Sequence, residues 1–289
     1  SGTLWLIWFL TSLWVVCTQI PATGDQRAVL LAAQYIAQGN FDAQGPVSYI
    51  YVYNNQAGIV MLAYFLNRIF GEFNVVAYQL LNAICIVFIS RNLSEISGYF
   101  GVKNSGQLGI IMLCMVFLPL SLYSSFIYGT IPGLLFALCG IKCEICFFYN
   151  GEWKNAVISS LCIAFAVLIK MNYLIFMVAM IIYAVVKIFA QGNIKQFTYL
   201  LLVFLLFLAQ AKIPTMTYEK ISGKEIPQGV SKLAWVPMGL QDGERPGWYN
   251  GYSRYTFEAS EYNVQQQETW MKTDLKLRLQ EMWNEKDAA

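Results

Sequence analysis

Long apolar stretches alternate along the chain with short polar breaks, and their lengths predict helices rather than strands. Seven stretches stand out, at 4–20, 73–90, 107–123, 131–149, 156–169, 173–190 and 197–211. They approach the roughly 20 apolar residues that a helix needs to cross a bilayer. The fifth and sixth nearly fuse, and Lys170-Met171-Asn172 between them reads as a tight polar hairpin. A shorter stretch at 56–70, interrupted by Asn67 and Arg68, predicts a juxtamembrane or re-entrant helix that Gly71 ends.

The polar segments have patterns of their own. Thr23-Gly24-Asp25-Gln26 fits a capping box, with Thr at the cap and Gln three residues on. The stretch 26–38 then reads as an amphipathic surface helix, with Arg27, Gln34 and Gln38 along one face and Gly39-Asn40 at its end. An aromatic loop follows at 41–53, where Tyr49, Tyr51 and Tyr53 alternate. Beyond 212 the chain turns polar. Residues 234–255 are dense in Trp, Tyr and Gly, and 264–286 predicts a helix with Val264, Met271, Leu275, Leu279 and Met282 on one stripe.

Composition supports the membrane reading. Charged residues make up 12% of the 289 and apolar residues 57%, where soluble domains carry about 25% charge. A net charge of +2 gives nucleic acid no foothold as a partner. The chain has no histidine, so proton transfer must fall to Asp, Glu, Lys, Tyr or Cys. Cys143-Glu144-Ile145-Cys146 has the spacing of a redox or zinc pair, but it stands without a second pair and reads as packing. The sequence indicates no cofactor, and a divalent metal stays open. No P-loop, dinucleotide fingerprint or G-x-S-x-G is present, which argues against a cytosolic nucleotide-using enzyme.

Charge also sets an expected orientation. Arg91, Lys103, Lys154, Lys187 and Lys195 fall on one side of seven spans. The uncharged 123–130 connection and Lys170 fall on the other, with Arg27 and Arg68. By the positive-inside rule the first side is cytoplasmic, and Asp25 lies outside.

Polar groups at the outer ends of spans are the candidate site. Asp25 can take a proton from an acceptor hydroxyl, or can merely favour its helix N-terminus by about 0.3–1 kcal/mol. Arg27 beside it can pair with a phosphate. Asn55 and Gln56 open the short helix, where free amides suit an anion or simple capping. Lys170 fits a lipid-linked phosphate or a snorkelling lysine that marks the interface. Trp248, Tyr249 and Asn250 offer rings and amides for sugar stacking, or form a lid on the bilayer.

An Asp just after the first span, a surface helix, a short helix ending Ile69-Phe70-Gly71 and about seven spans resemble the GT-C superfamily of membrane glycosyltransferases. The nearest likeness is to its dolichyl-phosphate-mannose protein mannosyltransferase-like family. Lys232-Leu233-Ala234-Trp235, Met238-Gly239-Leu240 and Gly247-Trp248-Tyr249-Asn250-Gly251-Tyr252 are similar to the outer loop of members from Gram-positive bacteria.

The resemblance implies an all-α membrane protein, a GT-C-like bundle of about seven transmembrane helices. Juxtamembrane helices would lie in the first outer loop (21–72), with a mixed outer region at the C-terminus. The transmembrane module would be 1–212, and 213–289 an extracytoplasmic region truncated before further spans. It implies a multi-pass protein of the bacterial plasma membrane that moves a sugar from a polyprenyl-phosphate donor to a glycan, lipid or protein acceptor outside. Asp25 would be the base. Arg27, Lys170 and Arg68 would bind the donor phosphate, and Asn55, Gln56, Trp248, Tyr249 and Asn250 the sugar or acceptor. Many relatives carry a second acid in the first motif, where Gln26 stands here, and another in the second outer loop. That leaves Asp42 or Glu244 as a second carboxylate. A lipid-linked glycan flippase or transporter, or an oligosaccharide polymerase or ligase, shares the same topology.

Overall fold

The computed structural model describes residues 2–41, 48–226, 228–242 and 246–287. Asp42 and Glu244 lie outside the described residues. All regular elements among those described are helical. In order they are α1 (Gly2–Thr18), α2 (Gly24–Ala37), α3 (Tyr49–Val52), α4 (Ala57–Phe70), α5 (Val75–Tyr99), α6 (Asn104–Val116) and α7 (Leu118–Leu122). Then come α8 (Thr130–Asn150), α9 (Trp153–Ile169), α10 (Leu174–Gln191), α11 (Phe197–Ser222), α12 (Trp235–Gly239), α13 (Tyr252–Ala259) and α14 (Val264–Asp287). Packing divides the chain into two units, 1–39 with 56–223 and 40–55 with 224–289.

In the first unit, four helices are long and apolar enough to cross a membrane: Val75–Tyr99, Thr130–Asn150, Met171–Gln191 and Phe197–Ser222. A fifth candidate is the pair Asn104–Val116 and Leu118–Ser125, bent by 59°. Each of the seven predicted stretches is helical, but Gly2–Thr18 and Trp153–Ile169 have only 17 residues each. The count is therefore four, or five with the bent pair, where about seven were expected. The bend falls just before Pro119, whose ring lacks an N–H and clashes with the carbonyl four residues back. The Lys170-Met171-Asn172 hairpin is present: α9 ends at Ile169, and a short 3-10 turn leads into α10.

Helix α8 is the shared wall of two cores. On one side Ala137, Phe147 and Phe148 pack with Ile163, Met180, Tyr199 and Val203 of α9–α11. On the other Ile131 and Leu138 pack with Ile7, Ile86 and Ile89 of α1 and α5. The far faces are apolar but exposed: Ile175, Ile182, Val186 and Phe189 on α10, and Leu201, Phe204, Leu205 and Leu208 on α11. Such faces are suited to acyl chains, since large contiguous apolar patches are rare on soluble surfaces.

Buried polar groups fix the bundle at two depths. Near its first end, two amides one turn apart on α5 collect carbonyls from the chain just after α1 and from 124–126. Gln79 Nε2 donates to the Ile20 and Ser125 carbonyls at 2.8 and 3.1 Å. Asn82 Nδ2 donates to those of Ser124 and Phe126 at 2.9 and 3.2 Å. Toward the other end, the Ser159 hydroxyl donates to the Gly140 carbonyl at 2.8 Å and lies 2.9 Å from the Tyr199 hydroxyl. Tyr199 stands in turn beside Glu144, which is 1% exposed. This network joins α8, α9 and α11. Replacing Tyr199 with Phe is expected to lower stability by about 1–3 kcal/mol, because it strips a partner from two buried polar groups. Thermal unfolding in detergent checks this; an unchanged midpoint would make the network energetically idle.

The second unit has a small core of its own, in which Val52, Val230, Ala234, Phe257 and Met271 are buried together. The Val230 amide donates to the Val52 carbonyl at 2.9 Å, tying Val52 to the later chain. Gln267 of α14 is fully buried: its Oε1 accepts from the Ser231 amide at 2.9 Å, and its Nε2 donates to the Ser253 carbonyl at 2.8 Å.

Candidate functional site

Asp25 lies in the first turn of α2 and is exposed. The expected capping box is not made. The Thr23 side chain caps nothing, and Gln26 does not reach back to the cap. Instead Gln26 Oε1 accepts from the backbone N–H of Ile127 at 2.9 Å. The glutamine thus ties the start of α2 to the segment that leads into α8. The α5 amides hold the same two pieces of chain, at Ile20 and at 124–126. Asp25 is therefore set on a fixed edge.

Lys170 follows the last residue of α9, where the backbone turns extended. Its Nζ donates to Thr130 Oγ1 at 2.7 Å, at the N-terminus of α8. It also lies over two rings, 4.7 Å from the centroid of Tyr128 and 5.8 Å from that of Phe126. Tyr173, just beyond, donates its hydroxyl to the Thr130 carbonyl. Burial lowers the Lys170 ammonium below the ordinary lysine value of 10.5, and the nearby negative charge of Asp25 partly offsets this. The structure thus brings Asp25 and Lys170 within electrostatic reach, the cation half-buried and framed by rings, the carboxylate open to solvent.

The backbone around Lys170 leaves no slack. A methyl group on Gly58 of α4 would sit 1.8 Å from the Leu168 carbonyl oxygen. Gly129, just before Thr130, has φ +73°, and a methyl there would lie 2.7 Å from the Ile169 side chain. Glycine is what lets α4 and the entry to α8 close on the end of α9.

The remaining predicted residues are more scattered. Arg27 and Arg68 are exposed and form no ion pair among the described residues. Gln34 and Gln38, predicted on the same face as Arg27, both donate to Glu72 Oε2, at 3.2 and 2.7 Å, and tie α2 to the loop after α4. Gln56 stands at the N-cap position of α4 in the first unit without a side-chain cap bond, and Asn55 belongs to the second unit and is exposed. Trp248, Tyr249 and Asn250 also belong to the second unit. There the Tyr249 and Tyr53 hydroxyls are 2.9 Å apart, and Trp235 lies against both rings, at centroid distances of 6.2 and 6.4 Å. Asn250 Nδ2 donates to Gln241, and Asn250 Oδ1 accepts from the Tyr252 amide. Trp248 is 64% exposed.

Sequence reasoning passed over Gln79, Asn82, Thr130 and Glu144. The signal was present: two amides three residues apart, and one carboxylate, inside otherwise apolar stretches, where each polar group needs a partner. No group of His, Cys, Asp and Glu suited to a metal occurs among the described residues.

Among the described residues the chain is helical throughout its regular elements, with several helices able to span a membrane, and it carries a carboxylate and a half-buried lysine within electrostatic reach at one end of the bundle. Among known proteins, no family model, no curated protein and no solved structure matches the chain.

Proposed function

We propose that the protein is a glycosyltransferase that moves a sugar from a polyprenyl-phosphate donor to a glycan, lipid or protein acceptor at the outer face of a bacterial plasma membrane. The Asp25–Lys170 pair carries this reading. A carboxylate open to solvent could take a proton, and the half-buried ammonium within its electrostatic reach could meet an anion; both support the reading. The basic residues support the orientation. Arg91 and Lys142, both bonded to Glu95, sit toward the opposite ends of α5 and α8, as does Lys154 at the start of α9.

In this mechanism Asp25 accepts the proton of an acceptor hydroxyl as its oxygen attacks the anomeric carbon of the donor. The bond from that carbon to the phosphate oxygen breaks, and the phosphate leaves with the electron pair. Lys170 stabilises the leaving anion from a site shielded by Phe126 and Tyr128, where screening by water is weaker. Arg27, two residues on from Asp25 in α2, supplies further positive charge.

Lys170→Met tests the phosphate role. Losing a hydrogen bond to a charged group is worth about 1.5–3 kcal/mol, so the donor KM is expected to rise about ten- to hundredfold. An unchanged KM removes Lys170 from the site. Wild-type pH dependence gives a second handle. Lys170 is charged below its own pKa, which burial sets under 10.5. The donor KM should therefore climb at a lower alkaline pH than an exposed lysine would dictate, and the climb should vanish in the Met variant.

One observation favours transport of a lipid-linked glycan as a second reading. The buried Glu144 beside Tyr199 is an ionisable group inside the bundle, as ion-coupled carriers require. A Glu144→Gln variant with normal transfer but no movement of lipid-linked glycan across vesicles would favour it.

A further inference from the structure

The N-terminal half of α14 is anchored in the second unit through the buried Gln267 and Met271. The half beyond is not covered in the same way. Leu275, Leu279 and Trp283 recur every four residues and form one apolar row, extended by Leu233 from before α12. This row lines an open groove of about 620 Å³. Leu279 and Trp283 are 52% and 69% exposed. Lys272 and Lys276 form the start of a parallel row on the same groove, continued by the amides of Gln280 and Asn284. Among the described residues no carboxylate lines the groove.

We infer that this groove binds a bilayer phospholipid with a net negative headgroup, its acyl chain along the leucine–tryptophan row and its phosphate on Lys272 and Lys276. Three observations select this occupant. The groove joins apolar length to two lysines, which fits an anionic amphiphile better than a neutral one. A tryptophan at its end is the residue most at home at the membrane–water interface. The same chain carries helices able to cross a bilayer, so phospholipid is at hand. Lys272 also pairs with Glu268 at 2.9 Å, but Lys272 is 67% exposed, and an exposed pair of this kind is worth about 0–1 kcal/mol. It yields easily to a phosphate. The inference does not rest on the transferase reading, and it concerns a lipid that is retained rather than consumed.

The test uses the full chain in phosphatidylcholine nanodiscs containing a small share of phosphatidylglycerol with a photoreactive acyl chain, followed by peptide mapping. Labelling is expected on the 275–284 segment. Each lysine near a membrane surface contributes about 1 kcal/mol toward anionic lipid, so K272E/K276E should reduce that labelling on the order of tenfold. Phosphatidylcholine carrying the same photoreactive chain should label the segment on the order of tenfold less than phosphatidylglycerol. Labelling of the exposed α10 face serves as the internal reference and should not change between variants. Should the charge reversal disturb folding, K272Q/K276Q should show the same selective loss in milder form. Four outcomes would overturn the inference: equal labelling by the two lipids, labelling indifferent to the lysines, displacement by inorganic phosphate, or cross-links between copies in place of lipid adducts.

Discussion

Asp25→Asn is expected to abolish most sugar transfer while leaving the protein folded. A positioned general base contributes about 10²–10⁴-fold, and the amide cannot take a proton. The side chain is exposed, and the replacement nearly matches it in shape. The structural loss should therefore stay near the 0.3–1 kcal/mol or so of a charge at a helix N-terminus. The capping alternative is weaker than the local sequence implies, because Thr23 makes no cap and Gln26 is engaged with Ile127. The measurement is transfer of labelled sugar from a polyprenyl-phosphate donor by purified protein, beside a thermal melt. A fully active Asn variant would sink the assignment. A variant that is dead but also unfolded would instead assign Asp25 to the fold.

The largest stability effect is expected at Gly58. Its replacement by Ala places a methyl 1.8 Å from the Leu168 carbonyl oxygen. The obstacle is backbone, so no rotamer change relieves it, and α4 must move away from the end of α9. Overpacking costs about 1–3 kcal/mol as a rule, and this site belongs at the upper end or beyond. Because Leu168 lies two residues before Lys170, donor affinity should fall along with the melting temperature. Gly109→Ala in α6 is the control, since nothing stands within 4 Å of its new methyl. Alanine in a helix interior gains roughly 0.5–1 kcal/mol over glycine, so that variant should be unharmed or slightly more stable. Equal behaviour of the two variants would mean the contact at Gly58 is unimportant.

Much of the helical layout was legible because it is local. Apolar runs and their polar breaks marked every helix of the first unit that packs against α8, and Lys170-Met171-Asn172 marked the turn between α9 and α10. Span number was less legible, because an apolar run does not reveal whether Pro119 will bend it or whether its helix will stop at 17 residues. The capping box misled for a different reason. Its glutamine could bond locally or at a distance, and the Ile127 amide is over a hundred residues away in the chain. Gly58 and Gly129 looked like ordinary glycines, since only the tertiary approach of Leu168 and Ile169 gives them a task. Asp25 and Lys170 were each readable as candidates at span ends. Their mutual influence was not, nor was the pair of rings and the threonine that hold the lysine.

The separation of that pair has a consequence for how the protein is made. Asp25 leaves the ribosome before Lys170, which follows 145 residues later (170 − 25). The α5 amides can hook Ile20 before α8 exists, but they cannot close on 124–126 until that segment arrives. The edge that carries Asp25 is thus half assembled early, and waits for its cation through the synthesis of α6, α7, α8 and α9. Stalling synthesis before Lys170 would leave an open, uncharged slot beside Thr130. The folding of the α9–α10 turn is therefore the last step that brings Lys170 to the edge carrying Asp25.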